Sequence, residues 1–432
     1  ERRDTKSYVA ALQGSWWESK DGSYYHLSGL YGWREDTQRN HSQSFPRNAL
    51  GEYLVPVTPD RAYHLIEPNG VWGTPSEITA HTTSYNVMLR PISQVRFFYN
   101  YSDIFRAAAA TFADISGTSL RPAYGETEDY GVKVDLFDER VFISATKYET
   151  AQRDSSVDNT GTIREPIQQI LAGVVQNAGL PANQQVGPAA STAELQEITR
   201  LQDDLIRPFA YRDDSTEGYE FAVTASITSN WNARLTFGIQ KTTVSALAEE
   251  WLPYHEQYLP FWQKFAANGL VNQTDANYMN VGHAIARAQQ RLVDYRSIIG
   301  QQPGDQRTRN SSLATSYRFT EGRLKGFRIG GGYRWASENI IGYARDASGN
   351  LDRERPFRGK AEFATDASIG YTRRFGSGGK FNWDVQLNVY NLLDDQSIRA
   401  YQAVDDGNGN PLIARTYLPE PLTVQLTNTI SF

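Results

Sequence analysis

The chain has 432 residues, a net charge of −6 and no cysteine, which excludes disulfides, thiolate metal sites and cysteine nucleophiles. Hydrophobic residues make up 40% and charged residues 21%, and no apolar run approaches the ~20 residues of a membrane-crossing helix. Net acidity without basic clusters argues against a nucleic-acid partner. A membrane β-barrel stays open, because only alternate residues of its short strands face lipid, and 25 Tyr, 19 Phe and 9 Trp suit its aromatic girdles. The chain begins at Glu1 and leads at once into a strand pattern, so it reads as a piece of a longer protein.

Taken in order, thirteen segments show the period-two alternation of a strand with one apolar and one polar face. They cover roughly residues 5–18, 22–36, 78–90, 93–102, 125–137, 138–150, 215–229, 231–245, 309–321, 325–338, 361–376, 380–392 and 421–432. In WNARLTFGIQ, Trp231, Ala233, Leu235, Phe237 and Ile239 oppose Asn232, Arg234, Thr236 and Gln240. In FNWDVQLNVY, Phe381, Trp383, Val385, Leu387 and Val389 oppose Asn382, Asp384, Gln386 and Asn388. A packed soluble core would not accept those charges.

The connections carry the larger signal. ESKDG, RPIS, DE, SN, EGRLKG and GSGG are short turns, and between them lie long stretches at about 37–77, 103–124, 151–214, 246–308, 339–360 and 393–420. Short and long alternate without a slip. Antiparallel strands then put every long loop at one end and every turn at the other, as in outer-membrane barrels. The last segment descends from the long-loop end, its Leu422, Val424, Leu426, Ile430 and Phe432 facing lipid with Asn428 as the one break. An odd strand count predicts missing strands on the N-terminal side and an unpaired edge on the final strand.

Helical spacing appears in two long loops. Leu247, Trp251, Tyr254, Tyr258, Phe261 and Phe265 form a stripe punctuated by Pro253 and Pro260, and Thr274 and Asp275 open a second run through Ile285, Ala288, Leu292 and Tyr295. The pair predicts a helical hairpin standing on the barrel. Weaker patterns occur at PIQQILAGVV and TAELQEITRLQDDLI, separated by PANQQVGPAAS.

The stretches SQVRFFYNYSDIFRAA, EDYGVKVDLFDERVFISATKYET, SYRFTEGRLKGFRIGGGYRW and LNVYNLLDD, with YLPEP and a strand ending in Phe432, together resemble the TonB-dependent outer-membrane receptors. The resemblance implies a transmembrane antiparallel β-barrel of 22 strands, all-β in class, of which this chain holds about 13. It is then open as a fragment, with helical insertions in long extracellular loops at 246–308 and 151–214. On this view residues 1–432 are the C-terminal part of the barrel, and the plug domain and TonB box lie outside the chain. The implied partners are outer-membrane lipid, the TonB-ExbB-ExbD energy-coupling complex and the outer-membrane assembly machinery, which reads the terminal Phe432. The implied function is energised import of a bulky, scarce ligand such as a siderophore, cofactor or oligosaccharide, with no bond-making, no resident cofactor and no metal. The resemblance also places the long loops outside the cell and the C-terminus in the periplasm.

Candidate residues follow. Arg234, Arg328, Arg334, Asp384 and Gln386 are expected in the lumen, in polar pairs or against a plug. Trp251, Tyr254, Tyr258 and Trp262 could stack on a ligand, with Trp262 beside the stripe and so most exposed; the alternative is that the stripe packs the hairpin. Arg287 and Arg291, one turn apart, could grip an anion; the alternative is a solvated face with Asp294 as local partner. The glycines of IGGGY (329–333) read as aids to curvature or close aromatic packing. Three further readings remain: a passive porin-like channel, an outer-membrane enzyme starting from His26 or His81, and a soluble carbohydrate-binding β-protein.

Overall fold

The computed structural model describes residues 2–16, 26–41, 43–44, 71–72, 76–106, 113–158, 160–206, 208–269, 280–304, 306–376, 378 and 380–432. Period-two alternation becomes one antiparallel sheet of thirteen strands. In chain order these are β1 (Arg2–Trp16), β2 (His26–His41), β5 (Ser76–Ile92), β6 (Val95–Arg106), β7 (Ala123–Leu136), β8 (Val141–Val157) and β9 (Ala210–Thr228). The wall continues through β10 (Trp231–Leu247), β11 (Arg309–Arg318), β12 (Phe327–Ala336), β15 (Glu362–Phe375), β16 (Phe381–Tyr390) and β19 (Thr423–Ser431). Each pairs with its sequence neighbours in the wall. Among the described residues β1 and β19 are not paired with each other, so each keeps one ladder edge open, as expected for the final strand.

Register keeps like with like. Leu235 sits opposite Val223 on one side and Leu313 on the other, while Arg234 sits opposite Thr224 and Ala314. The apolar face therefore continues from strand to strand, with Leu235 and Ile329 exposed by 40% and 46%; it is interrupted at Asn428 and, toward the long-loop end, by Lys147, Glu128, Glu149 and Glu217. The opposite face is polar almost throughout. A sheet apolar on its exposed side and polar on the other is the inverse of a water-soluble sandwich.

Every long connection leaves the same end of this wall. At the other end the described turns are 93–94, 137–140, 229–230 and 319–326; the ESKDG turn and part of GSGG lie outside the described residues. The 137–140 turn holds Phe137, Asp138 and Glu139 in succession at positive φ, a left-handed run that asparagine, aspartate or glycine adopts more readily than phenylalanine or glutamate.

The long connections carry their own structure. Between β8 and β9 lie α1 (Gly161–Gly179) and α2 (Thr192–Asp204); between β10 and β11 lie α3 (Trp251–Lys264) and α4 (Val281–Arg296). All four helices are amphipathic and share one core. Ile163, Ile167, Ile170, Leu171 and Val174 of α1 meet Val281, Ala284, Ile285, Ala288 and Leu292 of α4. The small Ala284 and Ala288 let the helices approach closely. Val244, Leu247 and Ala248 at the end of β10 join the same core and anchor it to the wall. The expected hairpin is thus half of a four-helix cap. Helix α2 begins with a capping box at Ser191 and Glu194. Pro260 lies within α3 without ending it. Asn280 caps α4, its side chain accepting from His283 N; the expected start at Thr274 and Asp275 lies outside the described residues.

Two further long connections, read as plain loops from the sequence, form β-hairpins. These are β13 (Ile340–Arg345) with β14 (Leu351–Arg358), and β17 (Arg399–Asp405) with β18 (Pro411–Tyr417). They pack together through Ile341, Ala344, Phe357 and Ala403. Gly342 allows this contact, since a Cβ there would strike the Ala403 carbonyl. The remaining pair, β3 (Gln43–Ser44) and β4 (Val71–Trp72), is a two-residue bridge in the first long connection.

Candidate functional site

The polar face of the wall concentrates its charge into a few bonded groups. Reaching across β15, Arg328 of β12 grips Asp384 of β16 with both guanidinium ends, at 2.9 and 2.8 Å, and donates to Gln386 Oε1 at 2.6 Å. Thr372 Oγ1 donates to Asp384 Oδ2 at 2.6 Å, and Gln386 passes a hydrogen bond to Asn388 at 2.6 Å. A bidentate, charge-assisted pair of this kind fixes geometry as well as energy. Arg328 crosses from β12 to β16 over Gly370, where a Cβ would lie 2.5 Å from Arg328 Nε. Three of the five expected lumen residues therefore form one cluster. No local pattern marks Thr372 or Gly370, because strand pairing across 12 to 58 residues brings them in.

The other two stand apart. Arg334 pairs with Asp366 at 3.0 Å. Arg234 lines a separate pocket of about 250 Å³ with Tyr148, Glu220 and Gln240. Of the IGGGY glycines, Gly330 is the most crowded, since a Cβ would meet Ser368 Oγ at 2.7 Å and that hydroxyl would have to turn aside; Gly331 and Gly332 have room for one. The close contact is with a serine rather than an aromatic ring.

The aromatic stripe of α3 is core. Trp251 and Trp262 are 0% and 1% exposed, and Tyr254 is buried with them. The expectation that Trp262 is the exposed ring is corrected: it packs edge-on against His255 at 5.2 Å and inside the four-helix core. Partners on two sides of α3 widen its buried arc, so a residue beside the stripe is swallowed too. Tyr258 is half-buried, and its hydroxyl accepts from Arg200 Nη2 at 2.6 Å. Arg287 and Arg291 are half-buried on α4. Asp294 pairs with Arg345 of β13 at 3.5 Å rather than with Arg291.

Ionic contacts tie the long connections into one assembly. Lys264 of α3 bonds Glu194 of α2, and this ammonium, with the Ser191 amide and hydroxyl, holds the Glu194 carboxyl down at about 2. Burial alone pulls His255 down to about 4, so the imidazole is neutral near pH 7. Arg353 Nε donates to Ser297 O at 3.1 Å, and Gln290 donates to Asn350 at 2.9 Å, linking α4 to the β13–β14 hairpin. Glu362, at the start of β15, is a hub for Arg307 from one long connection and for Arg399 and Tyr417 from another.

Together these features define a class: an antiparallel membrane-barrel wall, polar within and apolar without, that carries a structured cap at one end. No family model and no curated protein matches the sequence. Solved structures do. The ferric yersiniabactin uptake receptor FyuA from Yersinia pestis is similar over 99% of this chain and 45% of that chain, at 10% identity and a TM-score of 0.50. The ferric-catecholate import receptor Fiu from E. coli K12 is similar over 99% and 45%, at 15% identity and a TM-score of 0.49. The pyoverdine outer membrane receptor FpvA from Pseudomonas aeruginosa PAO1 is similar over 99% and 52%, at 12% identity and a TM-score of 0.45. The chain spans about half the length of these structures. The fold is that of the outer-membrane receptor β-barrel.

Proposed function

We propose that the chain is the C-terminal part of a TonB-dependent receptor in the Gram-negative outer membrane, and that it imports a bulky, scarce ligand. One observation carries this reading: all six long connections emerge at one end of a wall that is apolar outside and polar inside. Lipid surrounds such a wall, and the structured end faces the medium, with Phe432 at the periplasmic rim. The insertions at 151–214 and 246–308 stand outside the cell. Ligand capture belongs to the half-buried polar surface of the cap, where Tyr258, Arg287 and Arg291 lie, while Trp251, Tyr254 and Trp262 hold the cap together. Arg234, Arg328, Arg334, Asp384 and Gln386 line the passage and meet a plug contributed from outside this chain.

Energy would come through the TonB-ExbB-ExbD complex acting on that plug, and the terminal Phe432 would be read by the assembly machinery. A siderophore fits the similarity to FyuA, whose name specifies ferric yersiniabactin uptake. The test is uptake of labelled ferric siderophores by cells carrying the whole gene, with and without a proton uncoupler. Accumulation that stops with the uncoupler is expected. Uncoupler-insensitive flux of small solutes would favour a passive channel. Recovery of the protein in the aqueous fraction without detergent would overturn the membrane reading itself.

A further inference from the structure

At the turn end of the wall, basic side chains gather in one sector of the lipid-facing side. The β11–β12 turn carries Arg323 and Lys325, with Glu321 as its one carboxylate, and all three are exposed. Phe327 stands opposite Tyr371 in the β12–β15 ladder, and Thr372 N donates to Gly326 O at 2.9 Å. One residue further toward the rim, the same alignment brings Lys325 abreast of Arg373. Arg373 alternates with Ile369 and Tyr371, so it shares their apolar face, and it sits in register with Trp383 of β16. Among the described residues Arg323, Lys325 and Arg373 have no ion-pair partner. Asp384, on the polar face, is already held by Arg328. The β7–β8 turn at the same rim carries Asp138 and Glu139 instead, so the basic character belongs to this sector.

An aromatic belt stands next to these charges, toward the middle of the wall. Phe327 and Tyr371 lie 4.7 Å apart, and Tyr371 and Trp383 6.1 Å. Rings at this level mark the interface in membrane barrels. Beyond the belt an apolar groove of about 480 Å³ opens across β10, β11 and β12, lined by Trp231, Tyr317, Ile329 and Gly331. Trp231 Nε1 donates to Thr315 Oγ1 at 2.9 Å, which leaves the groove little polarity to offer. Gly331 lies four residues along β12 from Phe327, about 13 Å at the rise of a strand. That depth falls within the half-thickness of a bilayer core, about 15 Å.

From rim to midplane the sector thus presents unpaired cations, then rings, then an apolar groove. The order complements an amphiphile with an anionic head and an acyl chain. We infer that this sector binds an anionic glycerophospholipid of the periplasmic leaflet, its phosphate on Lys325 and Arg373 and one acyl chain in the groove beside Gly331. The inference rests on the proposed membrane reading and on its orientation, which puts the turn end in the periplasm, at the leaflet built of glycerophospholipids. A zwitterionic headgroup brings its own ammonium to a sector already rich in cations, so it is held less.

The test is native mass spectrometry of the protein, extracted in detergent from the outer membranes of cells carrying the whole gene. It is equilibrated in turn with phosphatidylglycerol and phosphatidylethanolamine, and preferential retention of phosphatidylglycerol is expected. Lys325→Gln and Arg373→Gln should each lower that retention about fivefold, the order of one basic contact at an anionic surface. The double variant should lower it about 25-fold if the two contacts add. Arg374→Gln removes the same charge one residue away, on the polar face, and should leave retention unchanged. Heat-modifiable gel mobility checks that each variant folds. Equal retention of the two lipids would overturn the site, as would undiminished retention by the double variant or an equal loss in Arg374→Gln; none of these touches the membrane reading. Recovery of the protein in the aqueous fraction without detergent would instead overturn the reading beneath it.

Discussion

At the residue scale, the Arg328–Asp384 pair shows how a polar lumen stays ordered. Both side chains are about one-third exposed, so water screens the pair and its net worth is about 1 kcal/mol. Asp384→Ala leaves the guanidinium with Gln386 and, at 3.5 Å, Thr372 as bonded partners, and thermal unfolding in detergent should register a loss of that order. Thr372→Val should cost less, and combining Asp384→Ala with Arg328→Ala should cost less than the sum of the two. The cap carries a second residue-level signature, in its pH dependence. His255 is depressed below its ordinary 6.5 to about 4, so the unfolded chain binds the extra proton first as pH falls. Cap stability should therefore decline from about pH 6.5 to 4. Glu194, depressed from 4.5 to about 2, contributes stability above pH 4.5 that is lost as pH falls toward 2. Hydrogen exchange of the cap amides as a function of pH reads both windows. His255→Phe should flatten the first, and Glu194→Gln the second.

At the scale of elements, the cap and the hairpins are where local pattern and tertiary contact part company. Trp262→Ala should destabilise the cap by about 3–5 kcal/mol, the range for large aromatic truncations in cores. Hydrogen exchange should then rise across α1 to α4 together, because they share one core, while wall strands such as β15 and β16 keep their protection. Gly342→Val should separate the two loop hairpins at Ala403 without touching the wall, read by limited proteolysis within 340–358 and 399–417. The wall strands were legible because a strand paired on both edges repeats every two residues, so WNARLTFGIQ and FNWDVQLNVY declare both faces by themselves. The helices of the cap were legible only singly. Nothing local in TAELQEITRLQDDLI announces that Glu194 will meet Lys264, 70 residues on. Burial of Trp262 likewise depends on two partners of α3. The β13–β14 and β17–β18 hairpins escaped because IIGYAR and RAYQAVD are too short to show a period, and register shifts interrupt both pairings.

At the scale of the whole molecule, one geometric feature governs the rest. Thirteen strands form a wall whose alternate residues face lipid and water, and all its elaborate connections rise from one end. Backbone pairing satisfies the strand interior in a medium without water, the long connections hold a cap with a core of its own, and the polar face carries ion pairs such as Arg328–Asp384 and Arg334–Asp366. The absence of cysteine makes the statement directly measurable. Single cysteines introduced one at a time from residue 231 to 240, in the protein inserted in its membrane, can be reacted with a membrane-impermeant maleimide. The account predicts a strict alternation: labelling at 232, 234, 236, 238 and 240, and protection at 231, 233, 235, 237 and 239. Uniform labelling along β10, or protection without a period of two, would contradict it.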